Sequence, residues 1–468
     1  MPMDGAREKC GVFAVVSAGE PVASTICVGL IALQHRGQEA AGVAVVDRSA
    51  IQLLCGPGLV SEALDPDAVA AMNGSCGIGH VRYSTAGSAG EENSQPVRRR
   101  TRTGQEFALA HNGNILSIDG LSTSTTPSVG WGRKRTGSSD THILAGKLAD
   151  HRDRSIDEAL DAVLPTVVGA FSLVIVSGDT IYCARDRQGF RPLCLGRLGA
   201  GWIVASESAA LDSVGAQFVR EIAPGEILTV RMNGLKSRQF AGEDPATCVF
   251  EHIYFSRQDS QLGGRRVQQV RRAMGAALAD EAPAIGDVVM PVPETARPAA
   301  AGYAERSGIR YEEGLVRNPY VGRTFIKPDN EQRRLGIQLK INPIPEIVRD
   351  RRVVVVDDSI VRANSALAVI AMLRAAGAAE VHMRISSPPI RWPCFFGVDL
   401  SRPGEIAASD RSVLEMRDLI GADSLGYLSL DAVERAVGTA GICSGCFTGE
   451  YPVDIDQIHA KMRMRAAA

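Results

Sequence analysis

Cys10 heads the run Cys10-Gly11-Val12-Phe13, which sets a thiol immediately before a β-rich stretch. A cysteine that becomes the first residue of its chain can use its own α-amine as general base. A free α-amine titrates at ~8, close enough to neutrality to take the thiol proton. Nine residues stand ahead of Cys10, so this chemistry requires their removal. Gly11 lets a substrate approach the backbone. Taken alone, the plainer reading of Cys10 as a small buried hydrophobe is the stronger one. A second constellation is Val353-Val354-Val355-Val356-Asp357-Asp358-Ser359-Ile360-Val361-Arg362: a buried strand, a carboxylate pair, then a loop entering a helix near Asn364. Carboxylates at a strand end can bind ribose hydroxyls or a Mg²⁺ carrying pyrophosphate, and N–H groups at a helix start can cradle a phosphate. An ordinary strand-to-helix turn capped by Asp is the commoner case. Cys443-x-x-Cys446 puts two thiols on one turn, by itself a weak signal.

These residues need a scaffold, and the hydrophobic pattern supplies two. From Gly11 to about Arg238, β-rich runs (Gly11–Val16, Gly42–Val46, Phe171–Ser177, Trp202–Ala205) alternate with turns, which predicts layered sheets. Helical spacing covers Ser24–Arg36 and Thr141–Ala149, the latter continued beyond His151 by Ile156–Leu164. From about Ala241 the strand candidates Asp287–Pro291, Arg352–Val356 and Glu380–Ile385 alternate with helical Val267–Ala279 and Ser365–Ala376, the pattern of a parallel α/β sheet. A boundary is expected near Gly242–Ala246, giving residues 1–9 as a propeptide, 10–242 as one domain and 243–468 as another. Arg323–Lys340 is polar, basic and without periodicity, and reads as a mobile active-site loop; the Ser/Thr/Gly-rich Ser117–Ser138 reads as an exposed excursion.

A length of 468 residues exceeds what one hydrophobic core usually serves. The net charge of −2, with both signs interspersed, offers no footprint for nucleic acid or anionic membrane, so small molecules and copies of the chain itself are the expected partners. Met1–Cys10 lacks the apolar core of a signal sequence, and no window approaches the ~20 apolar residues of a membrane span. A cytoplasmic setting is expected, where ten cysteines serve as nucleophiles, metal ligands or core rather than as disulfides. Cys27, Cys55, Cys76, Cys183 and Cys194, in apolar surroundings, read as core.

Four runs in order, Cys10-Gly11-Val12-Phe13, Leu33-Gln34-His35-Arg36-Gly37-Gln38-Glu39, Gly79-His80-Val81-Arg82-Tyr83-Ser84-Thr85 and His111-Asn112-Gly113-Asn114, resemble the class II glutamine amidotransferase domains. The resemblance implies that Cys10 is the nucleophile, that Arg82 grips the glutamine α-carboxylate, and that Asp140 pairs with the α-amino group. Asn112 and the Gly113 N–H would then form an oxyanion hole, where each donor contributes ~3 kcal/mol. His35 and His80 are read as supporting or packing residues.

The Asp357-Asp358 stretch is similar to the phosphoribosyl-pyrophosphate (PRPP) loop of type I phosphoribosyltransferases. Further runs, among them Arg191-Pro192-Leu193, Val204-Ala205-Ser206-Glu207, Tyr254-Phe255-Ser256-Arg257 and Cys446-Phe447-Thr448-Gly449, narrow the resemblance to the glutamine PRPP amidotransferases over nearly the whole chain. It implies an N-terminal-nucleophile αββα sandwich followed by a type I phosphoribosyltransferase parallel α/β sheet. The implied activity is hydrolysis of glutamine and transfer of the ammonia through an internal channel to C1 of PRPP, giving 5-phosphoribosylamine, glutamate and pyrophosphate, the committed step of purine synthesis. PRPP would contact Asp357, Asp358, Ser359, Ile360, Val361, Arg362, Ala363, Asn364 and Ser365. One Mg²⁺ per subunit would lie at Thr295, Asp357 and Asp358. Cys248, Cys394, Cys443 and Cys446 match the ligands in the branch that carries a propeptide and one [4Fe–4S] cluster per subunit; a structural tetrathiolate zinc is the competing reading. A homotetramer with purine-nucleotide inhibitors is also implied.

The chain departs from the family where PRPP is expected. Ala363-Asn364-Ser365 replaces the usual Gly-Thr-Thr, and Pro319 and Gln338 stand where arginine is usual, although Arg317, Arg323, Lys327, Arg333, Arg334 and Lys340 remain nearby. If the glycine of that loop has positive φ, alanine costs on the order of 1 kcal/mol. This motivates one rival reading, a pathway-specific paralogue with a working glutaminase and another acceptor. The other rival is a non-enzymatic iron–sulfur sensor, against which the intact Cys10, Arg82, Asn112 and Asp140 set argues.

Overall fold

A computed structural model describes residues 10–48, 50–83, 93–119, 121–122, 139–151, 155–318, 340–400, 405–439 and 441–455. Residues 1–9, and with them the expected propeptide, lie outside these, as do Ser84 and Thr85.

Two seven-stranded sheets stack face to face in the first half. In one, Gly11–Val16 lies between Gly201–Ala205 and Cys76–Arg82, all antiparallel. In the other, Val167–Ser177 lies between Thr180–Arg185 and the long Glu106–Ile118 strand. Side chains alternate across a strand, and the sequence uses both faces. Val12, Ala14 and Val16 meet Ala108, Ala110, Val174 and Val176 between the sheets. Phe13 and Val15 point the other way, toward Ile26 and Leu30 of helix Ala23–Ala32. Helices Asp140–Asp150 and Ile156–Val163 cover the second sheet. These layers match the expected αββα sandwich.

The second half carries a four-stranded parallel sheet in the order Val288–Pro291, Arg352–Asp357, Glu380–Ile385, Ser424–Tyr427. The valine run serves both faces. Val354 and Val356 pack with helices Val267–Glu281 and Arg297–Ser307, while Val353 and Val355 pack with helix Asn364–Ala375. All four are fully buried, which stabilises the fold by roughly 1.5–3 kcal/mol each.

Several expectations are corrected. The helix expected over Ser24–Arg36 ends at Ala32, because the chain turns to carry Arg36 inward, where its guanidinium is buried against two carboxylates that a continuing helix would not reach. The stretch Thr141–Leu164 is two helices, the second begun by its own N-cap, Ser155, in a reciprocal capping box with Glu158. Ser117 and Ile118 are not exposed: they finish a buried strand and pair with Ser122 and Leu121. Cys76, Cys183 and Cys194 are buried, but Cys27 and Cys55 are only half-buried, Cys55 because it lies on the sheet's edge strand Ala50–Pro57. Of the expected loop Arg323–Lys340, only Lys340 is among the described residues; Pro319, Arg323, Lys327, Arg333, Arg334 and Gln338 are outside them. No helix among the described residues is long and apolar enough to cross a membrane.

Candidate active site

Antiparallel pairing places Gly11 opposite Val81, which brings Cys10 beside Arg82 at the end of its strand. The Cys10 thiol donates to the Tyr83 carbonyl at 3.6 Å. Burial pushes this thiol up to about 11; the Tyr83 hydrogen bond and the Arg82 charge work against that shift, and the Asp140 and Glu39 charges reinforce it. The group is therefore protonated at neutral pH and needs a base before it can attack.

Asp140 opens helix Asp140–Asp150 and is fixed there: Oδ2 accepts from Ile115 N at 3.0 Å and Oδ1 from Thr141 N at 2.8 Å. His80 donates through Nε2 to the His111 carbonyl at 3.1 Å, and burial lowers its pKa to about 3, so it is a neutral packing residue. Asn112 has no exposed surface, and neither its Oδ1 nor its Nδ2 has a partner among the described residues. Each unpaired buried polar atom costs roughly 1–3 kcal/mol, a state suited to an amide kept for a substrate oxygen. Gly113 has φ +151°, and a Cβ there would come within 2.0 Å of the Ala170 carbonyl oxygen, so only glycine fits.

A buried ionic network backs Cys10. Arg36 donates through Nε to the Cys10 carbonyl at 3.2 Å, through Nη1 to Glu207 at 2.5 Å, and to Glu251 at 3.0 and 2.9 Å. His35 meets Glu207 at 2.7 Å. Burial opposes ionisation of Glu207, but His35 and Arg36 hold its carboxyl well below the usual range. Glu251 also accepts from Arg191 at 3.1 Å. Sequence reasoning missed Glu251; a lone carboxylate inside the apolar run Cys248-Val249-Phe250-Glu251-His252-Ile253 was the available signal, since buried charges are paired.

In the second half, Asp357 and Asp358 stand at the C-terminal end of the parallel sheet, where ligands of such folds bind. Val292 N donates to Val356 O at 2.8 Å, which ties the chain that leads on to Thr295 to the strand ending at Asp357. Both carboxylates are buried. Burial and then the Asp358 charge push Asp357 well up, while burial raises Asp358 to about 6. Ser359 Oγ donates to Asp358 at 2.7 Å. Ile360 and Val361 bury their side chains in the core, so the groups they can offer a ligand are main-chain ones. Arg362 is held by Glu405 at 2.9 Å, with Nη1 left unpartnered among the described residues; Ser365 Oγ is likewise unpartnered. Ala363 has φ +65° just ahead of helix Asn364–Ala375. The conditional expectation of strain there is met. Two buried acids and unpaired donors on one rim form a chemically sensible cradle for a metal-bound phosphate.

The four cysteines assemble from three segments. Thr247–Cys248 pairs in parallel with Ile442–Cys443, setting Cys248 in register with Cys443. Cys446 lies one turn on, and its carbonyl accepts from Arg391 N and Trp392 N, both at 3.0 Å, which docks the Cys394 segment. Burial raises all four thiols, Cys394 to about 11, and each of Cys394, Cys443 and Cys446 is raised further by neighbouring cysteines. No group of three or more His, Cys, Asp or Glu placed to hold a single metal ion occurs among the described residues. Four thiols are a donor set suited to a thiolate-bound group, and burial disfavours their ionisation in the absence of a bound cation.

The glutamine amidotransferase domain family matches residues 80–213. The amidophosphoribosyltransferase of Mycobacterium tuberculosis is 47% identical over 463 residues, 97% of this chain and 88% of that protein. A solved structure of the B. subtilis glutamine PRPP amidotransferase complexed with ADP and GMP superposes with a TM-score of 0.86 at 39% identity, covering 95% of this chain and 98% of its own. A second, of the allosteric regulatory enzyme of purine biosynthesis, gives 0.88 at 40% identity, covering 97% and 99%.

Proposed function

Because the chain belongs to the amidophosphoribosyltransferase family, a group of glutamine-using pentosyltransferases that perform the first step of purine biosynthesis, we propose that Cys10 is the nucleophile of its glutaminase reaction and that Asp357 and Asp358 organise its PRPP site. The paralogue reading finds no support in relatives matched along nearly the full length.

With residues 1–9 removed, the Cys10 α-amine takes the thiol proton and sulfur attacks the glutamine carboxamide carbon. The oxyanion that forms is received by the Asn112 side-chain amide and the Gly113 N–H. Collapse expels ammonia, which carries the proton returned by the amine, and leaves a thioester that water hydrolyses to glutamate. Arg82 and Asp140 hold the α-carboxylate and α-amino ends. The observation that carries this assignment is the strand register that sets Cys10 beside Arg82, with the Cys10 thiol held by the Tyr83 carbonyl. Ammonia then passes within the protein to C1 of PRPP, and pyrophosphate departs.

Thr295, Asp357 and Asp358 would hold Mg²⁺, which supplies charge neutralisation for the departing pyrophosphate; Arg362, Ala363, Asn364 and Ser365 would line the phosphate. Cys248, Cys394, Cys443 and Cys446 would hold a [4Fe–4S] cluster tying the C-terminal segment to the sheet domain. We assign residues 10–242 to the glutaminase domain and 243–468 to the phosphoribosyltransferase domain. A cytoplasmic homotetramer under purine-nucleotide control completes the reading, supported by a relative's complex with ADP and GMP.

Cys10→Ala tests the assignment. It should abolish phosphoribosylamine formation from glutamine and PRPP while leaving synthesis from free ammonia largely intact. A folded variant that loses both reactions would remove Cys10 from its role as a dedicated glutaminase nucleophile.

A further inference from the structure

Arg191 is fully buried, yet its guanidinium is only partly satisfied. Nη1 donates to Glu251 at 3.1 Å and Nη2 to the Phe396 carbonyl at 2.5 Å, while Nε has no acceptor among the described residues. Both anchors belong to thiol-bearing segments: Glu251 follows Cys248 by one turn, and Phe396 N itself donates to Cys394 Sγ at 3.4 Å. On the other side, Cys248 N donates to the carbonyl of Phe190, the residue before Arg191, at 3.1 Å. The Arg191 backbone is pinned as well, its carbonyl accepting from Ser172 Oγ at 3.0 Å and from Arg185 Nε at 2.7 Å. The guanidinium is therefore wedged between the two segments that carry Cys248 and Cys394 and cannot swing away to find water.

A buried charged donor left without an acceptor is destabilising. The rings of Phe190 and Phe396, which flank the guanidinium, pack with Cys394 and Cys443, so this side of Arg191 faces the thiol-bearing segments.

We propose that the Arg191 Nε–H donates a hydrogen bond to the sulfur atoms of the iron–sulfur group held by Cys248, Cys394, Cys443 and Cys446, making Arg191 a positioning residue that sets how readily that group accepts an electron. The proposal rests on the iron–sulfur reading above. Donors to cluster sulfur spread its negative charge and favour the reduced state, so their loss makes reduction harder. Of the groups that touch Arg191, Glu251 shares its charge with Arg36, which leaves Arg191 as the cation facing the thiols.

The test uses full-length enzyme purified without oxygen, first assayed for iron and sulfide. Stoichiometric zinc without sulfide overturns the cluster reading before Arg191 is reached. With the cluster confirmed, pulsed EPR of dithionite-reduced protein labelled with ¹⁵N-arginine should show a nitrogen coupling, and the coupling should vanish in Arg191→Lys. The reduction midpoint should move to more negative potential in Arg191→Gln, with Arg191→Lys between it and wild type. An arginine that only buttresses the Phe396 loop predicts otherwise: Arg191→Gln lowers cluster content, but the surviving clusters keep the wild-type midpoint, and the labelled wild type shows no coupling. That result overturns the proposal, and the wild-type spectrum decides the matter even if Arg191→Gln fails to fold.

Discussion

Asn114 Nδ2 donates to the Phe395 carbonyl at 2.7 Å, joining residues 281 apart in sequence. Asn114 lies two residues past Asn112 on the same strand, and Phe395 immediately follows Cys394. Gly397 tightens the junction, since a Cβ at that position would stand 3.3 Å from the Gly113 carbonyl. The strand proposed to receive the glutamine oxyanion is thus seated directly on the segment carrying one of the four clustered cysteines.

Removing that hydrogen bond should loosen the seat without touching either substrate. Asn114→Ala gives up about 1 kcal/mol of interaction and leaves a partly buried carbonyl unpaired. Glutamate release should then outrun pyrophosphate release, as ammonia escapes at the junction, while the KM for glutamine stays near its wild-type value. Equal rates of the two products would show that the contact plays no part in transfer.

Cys446→Ser removes one of the four proposed ligand thiols, next to the carbonyl on which Arg391 and Trp392 dock. Anaerobic wild type should be brown with about four irons and four sulfides per chain, and the variant should lose both the chromophore and several degrees of thermal stability. A colourless wild type with full stability would end the cluster assignment.

The left-handed φ of +65° at Ala363 predicts a stabilising substitution. A non-glycine residue there costs roughly 1–2 kcal/mol, and glycine returns about 0.4–1 kcal/mol of that through the greater freedom of the unfolded chain. Ala363→Gly should therefore raise stability by about 0.5–1 kcal/mol in denaturant unfolding. A loss of stability would mean that the loop does not adopt this turn in solution.

Asp358 gives a pH signature. Its folded pKa, near 6, lies above the ordinary carboxylate value because burial disfavours the charge. The folded state then binds a proton that the unfolded state has released, so this group costs stability increasingly as pH rises from about 4 through 6. Mg²⁺ needs the ionised form, so its stabilisation of the fold should be small below pH 6 and grow above it. Differential scanning calorimetry with and without Mg²⁺, compared with Asp358→Asn, reads both effects. A Mg²⁺ response that is flat between pH 5 and 8 would place the ion elsewhere.

What the sequence determined by itself was local. The unbroken apolar runs Gly11–Val16 and Val353–Val356 marked a strand of each half, because a strand buried on two faces must be apolar along its whole length. Arg82, Asn112 and Asp358 were legible through the runs in which they stand, which resemble motifs of the family. Tertiary structure alone decided how distant charges are shared. Arg36 leaves its helix early because Glu207 and Glu251 wait in the core, and no local propensity records a partner more than 170 residues away. The same holds for Arg191, whose unpaired nitrogen comes to lie between the segments of Cys248 and Cys394 only in the folded chain. Desolvation is the reason: a charge is cheap anywhere on an open chain, and where it must end in the folded one is set by the groups that can neutralise it out of water.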